Sequence, residues 1–134
     1  MTFKKVLTEL QPSVLFIQET MFKHEGQFKL GNNFIVYELL RQNRNGGGLA
    51  LGCSKDLNPV WVREGNDEVE AISVDIFLKN MKIRCCGAYG PQENGTVEKK
   101  AAFWKYLDYE VWEASKAGAG FILQMDSIYR QQTY

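Results

Sequence analysis

"PSVLFIQET", residues 12–20, decides how the rest of this sequence is interpreted. The letters VLFI form a continuous apolar run, which is typical of a β-strand that is buried on both faces. Glu19 follows at the carboxyl end with only Gln18 between, so no turn residue separates the strand from the acid. "FILQMD", residues 121–126, repeats this design and ends in Asp126. The pattern predicts two strands that each deliver a carboxylate to the rim of a sheet, where open α/β architectures bind ligands.

Apolar and alternating stretches elsewhere in the sequence predict further strands. The segment NFIVYELL, residues 33–40, alternates like a half-buried strand. Two longer apolar segments are separated only by Lys79 and Asn80, which predict a two-residue hairpin turn. With the opening stretch, the predicted strands cover residues 13–18, 33–40, 48–54, 59–64, 69–78, 81–89 and 121–126.

Two helices are predicted between these strands. Apolar residues at helical spacing predict a helix over residues 3–10, which Pro12 stops. A second helix begins after Thr96, a suitable N-cap, and ends at Gly118 or Gly120. The apolar stripe of this second helix comprises Trp104, Leu107, Val111 and Ala114.

The three tryptophans could stack on nucleic-acid bases or pack within the protein. Trp104 lies on the predicted apolar stripe and Trp112 is close to it, so both are predicted to be packing residues. For Trp61, in the predicted strand 59–64, both interpretations stay open.

The bulk composition is that of one globular domain. The chain has 134 residues, of which 45% are hydrophobic, enough to bury a core. Its 16 basic and 16 acidic side chains cancel, so any contact with a polyanion must come from a local patch and not from a global field.

Cysteine, histidine and hydropathy patterns bear on the compartment. Three cysteines, with Cys85 and Cys86 adjacent, favour a reducing environment over a disulfide framework. A Cys2His2 zinc site is excluded because His24 is the single histidine. No apolar run approaches membrane-spanning length, and the first ten residues do not have the pattern of a signal peptide. We therefore expect an intracellular protein, nuclear or cytoplasmic, without a membrane partner.

The two acids at the ends of apolar strands suggest a metal site. Glu19 and Asp126, arriving from separate strands, could converge on one divalent cation. Mg²⁺ takes oxygen ligands and usually keeps several waters, so one or two carboxylates suffice. The alternative is that each acid only marks the point where a strand meets water.

A second candidate feature is "CGAYGPQENG", residues 86–95. Tyr89 ends a predicted strand and Pro91 fixes the turn behind it, so the phenol could donate a hydrogen bond to a phosphate oxygen. Gln92 and Asn94 offer further amide contacts to such a group. The alternative is an ordinary strand exit with a packed tyrosine.

The loop "RQNRNGGG", residues 41–48, combines arginines with glycines. Arg44 could contact a phosphate. The glycines lead into a strand, so they do not match the dinucleotide-binding fingerprint, in which they open a helix. A flexible hairpin connection is the interpretation that the pattern favours.

Five segments together resemble one protein family. They are, in chain order, PSVLFIQET, GGGLALGCSKDL, VEAISVDI, MKIRCCGAYGPQ and FILQMDS. In this order and separation they resemble the endonuclease/exonuclease/phosphatase superfamily, most closely the apurinic-type endonuclease domain of LINE-type (non-LTR) retrotransposons. The resemblance covers residues 1–134 and implies an α/β (α+β) fold, a four-layered α/β/β/α sandwich with mostly antiparallel sheets.

The resemblance also implies an activity and a set of site residues. The expected reaction is hydrolysis of a phosphodiester or phosphomonoester that depends on Mg²⁺ (or Mn²⁺), with DNA as the substrate of the parent domain. Glu19 matches the metal-binding glutamate and Tyr89 the active-site tyrosine that faces the phosphate. Asp126 matches the aspartate that orients the attacking water.

This sequence departs from the family at several functional positions. Members begin with a strand that ends in an active-site asparagine, and their later half carries an aspartate and an aspartate–histidine pair. In the Asp-x-Asn motif that begins at Asp126, the expected asparagine is Ile128. These departures imply a front-middle portion of such a domain, cut at both ends, whose missing half or reverse transcriptase portion would be its partner. We expect weak or no catalysis by this chain alone.

Three functions therefore stay open at the level of sequence. The first is part of a DNA-nicking endonuclease, and the second is a non-catalytic remnant that binds nucleic acid or a protein. The third is a phosphatase of the same superfamily. The segments AYGPQ and FILQMD disfavour it, because they resemble the retroelement type.

Overall fold

A computed structural model describes residues 13–18, 30–40, 48–91 and 94–126. Their elements are β1 (Val14–Gln18), β2 (Phe34–Leu39), β3 (Leu49–Ser54), a 3₁₀ turn (Lys55–Leu57), β4 (Val60–Glu64), β5 (Ala71–Leu78), β6 (Met81–Tyr89), α1 (Val97–Lys116) and β7 (Gly120–Asp126). All seven predicted strands and the predicted second helix are confirmed. The helix predicted over residues 3–10 lies outside the described residues.

The described strands form two sheets. The first has the order β1-β3-β2 and the second the order β4-β5-β6-β7. Every pairing is antiparallel except that of β6 with β7, which is parallel and is joined through α1. A parallel pair needs a crossover of this kind, because a tight turn cannot return the chain to the same end of the sheet. The predicted arrangement of two mostly antiparallel sheets is confirmed.

The core between the two sheets is built from alternate residues of their strands. Because successive side chains in a strand point to opposite faces, each strand contributes every second residue to this core. The buried members are Leu49, Leu51, Cys53, Leu57, Ile72, Val74, Ile76 and Cys85, and the half-buried Val14, Phe16, Tyr37, Leu39, Ile83 and Tyr89 pack against them. The inward faces of β1 and β6 therefore meet across the sandwich.

The opposite face of the second sheet packs against α1. Phe103, Tyr106 and Leu107 of the helix are buried against Cys86 and Ala88 of β6. The described layers are thus sheet, sheet and helix, and the fourth predicted layer would fall on residues 3–10, outside the described part. None of the helices in the described part of the chain is long and apolar enough to span a membrane.

Both ends of α1 follow from local chemistry. The Thr96 hydroxyl accepts a hydrogen bond from the Lys99 backbone N–H at 3.1 Å, so the predicted N-cap is confirmed. The helix ends at Lys116, and Gly118 follows with a φ of +72°, a conformation that glycine adopts at low cost. Of the two glycines predicted to end the helix, Gly118 does so and Gly120 begins β7.

The prediction that Trp104 and Trp112 are packing residues is wrong. Leu107 and Ala114 of the predicted stripe are buried, but Trp104 is 52% exposed and Trp112 is 56% exposed. The buried strip of the helix is displaced from the predicted stripe: Trp104 and Val111 are exposed, and the buried residues are Phe103, Tyr106, Leu107, Glu110 and Ala114. Lys116 lies over the Trp112 ring, with Nζ 4.9 Å from its centroid.

Candidate active-site edge

The carboxyl ends of β1 and β6 meet at one edge of the sandwich. Gln18, the last residue of β1, donates a hydrogen bond from Nε2 to the backbone oxygen of Ala88 at 3.1 Å. Ala88 is the penultimate residue of β6 and precedes Tyr89. The strand that leads into Glu19 and the strand that ends in Tyr89 therefore reach the same edge, although they belong to different sheets.

Tyr89 connects the two sheets at this edge. Its hydroxyl donates to the backbone oxygen of Gly48 at 3.1 Å, directly before β3 begins. Its ring packs on the core between the sheets, and its backbone N–H donates to the Glu70 carbonyl at 3.0 Å. The alternative of a packed tyrosine is therefore correct for the ring, while the phenol is bound to the Gly48 carbonyl and its contact with a phosphate stays a prediction.

Asp126 arrives beside Tyr89 through the parallel pairing of the last two strands. The two residues are register partners at the carboxyl ends of β7 and β6. Adjacent strands lie about 4.8 Å apart, so the two backbones are immediate neighbours. This placement brings together two of the residues that the sequence singles out.

The structure does not test the roles of the remaining predicted site residues. Glu19, Arg44 and Gln92 lie outside the described residues, and their roles stay predictions. Asn94 is exposed in the turn that precedes α1, and its contact with a phosphate also stays a prediction. The strands on either side of the Arg44 loop, β2 and β3, pair as the predicted hairpin.

The chemistry of the edge suits a hard cation better than a soft one. The oxygen atoms that the structure places there are the Tyr89 hydroxyl and the Gly48 carbonyl. Mg²⁺ and Mn²⁺ prefer such ligands. Within the described residues no group of three or more His, Cys, Asp and Glu side chains could hold a metal. The roles of Glu19 and Asp126 in holding a cation stay predictions.

The cysteines do not provide a nucleophile. Cys53, Cys85 and Cys86 are buried and free. Burial raises the pKa of Cys53 to about 12, and burial likewise raises the pKa values of Cys85 and Cys86 to about 11. Because the thiolate is the reactive form, these side chains are inert at neutral pH.

A buried ionic cluster lies away from this edge, between the second sheet and α1. Arg84 of β6 pairs with Asp75 of β5 and with Glu110 and Glu113 of the helix. Arg63 of β4 contacts both glutamates. Arg84 is five residues from the end of β6, roughly 17 Å along the strand, and its side chain points to the face opposite that of Tyr89. The cluster therefore fixes the helix on the sheet and is not part of the candidate site.

One face of β7 is uncovered in the described part of the chain. Phe121 and Met125 pack toward α1, so the alternating Ile122 and Gln124 lie on the face that continues the inter-sheet surface. Ile122 is 46% exposed. β7 is also one of the two edge strands among the four described strands of its sheet.

Comparison with solved structures identifies the fold. The chain is similar to the human Nocturnin catalytic domain with a bound sulfate anion, with a TM-score of 0.62 and 14% identity, over 91% of this chain and 53% of that one. It is also similar to D. rerio TDP2 humanized by 14 mutations, with a TM-score of 0.56 and 13% identity, over 96% of this chain and 57% of that one. The chain has the sandwich fold of the endonuclease/exonuclease/phosphatase superfamily.

The likeness to these two structures concerns the fold and not an activity. Both solved structures belong to this superfamily, and at such low identity their likeness shows the fold alone. The chain spans about half the length of each. No family model and no curated protein matches the chain.

Two contacts at the edge were not predicted from the sequence. They are the hydrogen bond from Gln18 to Ala88 and the hydrogen bond from Tyr89 to Gly48. The sequence contains one indication of the Gln18 contact: both apolar strands that end in an acid carry a glutamine near that end. The second depends on how the two sheets stack, which no local pattern in the sequence specifies.

Proposed function

We propose that this chain is the front-middle portion of a Mg²⁺-dependent phosphodiesterase of endonuclease type, related to the domain of LINE-type retrotransposons, that acts on DNA. The observation that carries the proposal is the meeting of three strand ends at one edge: Gln18 next to Ala88, Tyr89 after it, and Asp126 beside Tyr89. Glu19 follows Gln18 directly in the chain.

Each residue has a role that its chemistry permits. Glu19 would hold the cation, which supplies charge neutralisation at the phosphate and at the leaving oxygen. Asp126 would accept a proton from the attacking water and orient it. Asn94, Gln92 and Arg44 would contact phosphate oxygens along the DNA backbone.

The phenol of Tyr89 must change its partner when a phosphate binds. A tyrosine hydroxyl has one proton, and that proton is donated to the Gly48 carbonyl. A phosphate oxygen carries more negative charge than a carbonyl and forms the stronger hydrogen bond. Rotation of the hydroxyl from Gly48 to the phosphate would therefore accompany substrate binding. The sulfate in the Nocturnin structure supports a fold that accepts tetrahedral oxyanions.

We expect the activity of this chain alone to be weak. Ile128 follows Asp126 where the family has an asparagine, and an isoleucine offers no donor or acceptor to hold the aspartate. Groups that act as a unit in catalysis fail together when one is removed.

A second candidate function is a non-catalytic remnant that binds nucleic acid or a protein partner. The exposed Ile122, on a face that a sandwich normally buries, favours a surface that another polypeptide covers. In this case the metal-site residues would be retained without turnover.

Nicking of supercoiled plasmid tests the proposal together with binding of Mn²⁺. The wild-type chain is compared in Mg²⁺ and in EDTA with Glu19→Ala and with Asp108→Ala, which removes an exposed carboxylate from α1. We expect Mn²⁺ binding that Glu19→Ala abolishes and Asp108→Ala does not change, with weak nicking that follows the same pattern. Nicking that persists in EDTA or in Glu19→Ala would refute the assigned chemistry. DNA binding without nicking, whether or not Mn²⁺ binds, would favour the remnant.

A further inference from the structure

The glutamine in the LFIQE stretch has a specific contact at the candidate edge. Gln18 is half-buried, and its Nε2 donates to the Ala88 carbonyl at 3.1 Å. β1 and β6 belong to different sheets, so this hydrogen bond crosses the interior of the sandwich and not a strand pairing. The contact requires a hydrogen-bond donor on the side chain of residue 18, because a backbone carbonyl only accepts.

A second hydrogen bond closes a ring of contacts with the first. Tyr89, next to Ala88, donates to the Gly48 carbonyl. Gly48 precedes Leu49, which is the register partner of Gln18 in the first sheet. The Gln18 bond therefore has its donor in the first sheet and its acceptor in the second, and the Tyr89 bond has the reverse. The two bonded residues of the second sheet, Ala88 and Tyr89, are adjacent in the chain. The two bonds together define the gap between the sheets at the edge.

The residues below this ring pack closely, which makes the gap sensitive to small changes. The next inward-facing residue of β1 is Phe16, whose ring lies against Gly87 of β6. A Cβ atom at Gly87 would come within 3.3 Å of the Phe16 Cδ1 atom. Because protein interiors are close-packed, a shift of one sheet at the edge cannot be absorbed in a void.

We propose that Gln18 is a positioning residue for Tyr89 at the candidate edge. Its hydrogen bond to Ala88 sets the inter-sheet spacing there, and with it the position of the Tyr89 hydroxyl. The identity of the ligand, a divalent cation, rests on the proposed function. The geometry that Gln18 imposes does not depend on it. Outer contacts of this kind commonly decide metal affinity without touching the metal.

Two substitutions of Gln18 and one control test the proposal. Gln18→Met keeps the length of the side chain but removes the donor, and Gln18→Glu keeps the shape but cannot donate when ionised. Val14→Ala is the control, because Val14 packs in the same inter-sheet core at the opposite end of β1. It therefore weakens the sandwich without touching the edge.

The readout is the NMR resonance of the Tyr89 ring in chains with ¹³C-labelled tyrosine, identified by its loss in Tyr89→Phe. Without metal, we expect both Gln18 variants to shift this resonance and Val14→Ala to leave it in place. With Mn²⁺, we expect paramagnetic broadening of the resonance in the wild type, and a dissociation constant about tenfold weaker in Gln18→Met, the lower end of the range for outer-shell contacts.

The two readouts separate the inference from the proposed function. An unshifted Tyr89 resonance in both folded Gln18 variants would overturn the positioning role, whatever Mn²⁺ does. A shift equal to that in Val14→Ala would also overturn it, because the effect would then be general loosening. A wild-type resonance that Mn²⁺ does not broaden would overturn the proposed metal site, while the metal-free shift would still decide the role of Gln18 in placing Tyr89.

Discussion

Tyr89 and Asp126 are register partners at the carboxyl ends of two parallel strands, the only parallel pair that the described residues form. Parallel pairing brings the carboxyl ends of both strands to the same edge, and α1 provides the crossover that this pairing needs. Two residues that are far apart in the sequence are therefore backbone neighbours at this edge. The same edge receives β1 through Gln18 and Ala88.

Replacing Tyr89 by phenylalanine tests the value of its hydroxyl. The substitution removes the hydrogen bond to Gly48 and leaves the ring packed. We expect a loss of about 1 kcal/mol in the free energy of unfolding, measured by urea denaturation, and weaker binding of inorganic phosphate. Tyr109→Phe is the control, since the Tyr109 hydroxyl bonds to Glu113 on the exposed surface of α1. An equal loss of phosphate binding in both variants would contradict a role for Tyr89 at the edge.

Removing Arg84 is expected to destabilise the fold strongly. Its side chain is only 4% exposed and is paired with Asp75, Glu110 and Glu113. Arg84→Met would leave these carboxylates in a nonpolar environment with too little positive charge, at a cost of about 3–5 kcal/mol. Arg63→Met, whose side chain is 30% exposed, should cost clearly less because water can reach its partners. Equal losses in the two variants, measured by denaturant unfolding, would be inconsistent with this account.

Glu113 is expected to make the stability of the fold depend on acid pH. A hydrogen bond from Arg63, helped by Arg84 and Tyr109, lowers the pKa of Glu113 from 4.5 to about 2, against the opposing effect of burial. A carboxylate with a lowered pKa in the folded state stabilises the protein above its unfolded pKa. This contribution is lost as the pH falls from about 5 to about 2.

The variant Glu113→Gln should lack this part of the pH dependence. As the pH falls from about 5 to about 2, the free energy of unfolding should decrease by about 1 kcal/mol more in the wild type than in the variant. This value allows for solvent screening. Asp108→Asn, an exposed acid on the same helix, is the control. Parallel pH profiles for the wild type and Glu113→Gln would disprove the assignment.

The strands could be predicted from the sequence because their signals are local. Apolar runs and alternation locate all seven, and Thr96 and Gly118 delimit the helix through cap chemistry. The strand order β1-β3-β2 and the division into two sheets depend on contacts between distant segments, which periodicity alone does not encode. The resemblance to a known family supplied the two-sheet arrangement that local patterns could not.

The candidate site was predictable in its residue types and less so in its contacts. The acids at strand ends and Tyr89 stand out because each breaks the pattern of an apolar strand at its end. Gln18 is a less obvious candidate, since an amide near a strand end is compatible with simple exposure. Arg84 looks like a solvated strand residue in the sequence and is buried because distant carboxylates neutralise it. Such pairing is visible only in three dimensions.

Gly87 allows the close approach of the two sheets below the edge. An added Cβ would lie 3.3 Å from Phe16 and 3.5 Å from Ile72, so Gly87→Ala requires the Phe16 ring to move by a few tenths of an ångström. We expect a loss of about 1–2 kcal/mol in stability, typical of mild overpacking, together with a shifted Tyr89 ring resonance. Gly120→Ala is the matched control, because its nearest contact would be 3.7 Å from an Ile83 side-chain atom. If both variants were equally stable, the gap between the sheets would be more adaptable than we infer.

The neighbouring residues Phe103 and Trp104 allow a direct test of which part of α1 contacts the sheet. Phe103 is 2% exposed and packs in the core with Tyr106 and Leu107, whereas Trp104 is half-exposed and meets the Phe103 ring edge-on at 5.3 Å. Phe103→Ala should therefore cost about 3–5 kcal/mol, as expected for a cavity in a packed core. Trp104→Ala should cost about 1 kcal/mol or less, and Trp104 fluorescence should be quenched readily by acrylamide. A large loss on removing Trp104 would show that its ring is covered in solution, and the second candidate function would then gain a partner surface on the helix.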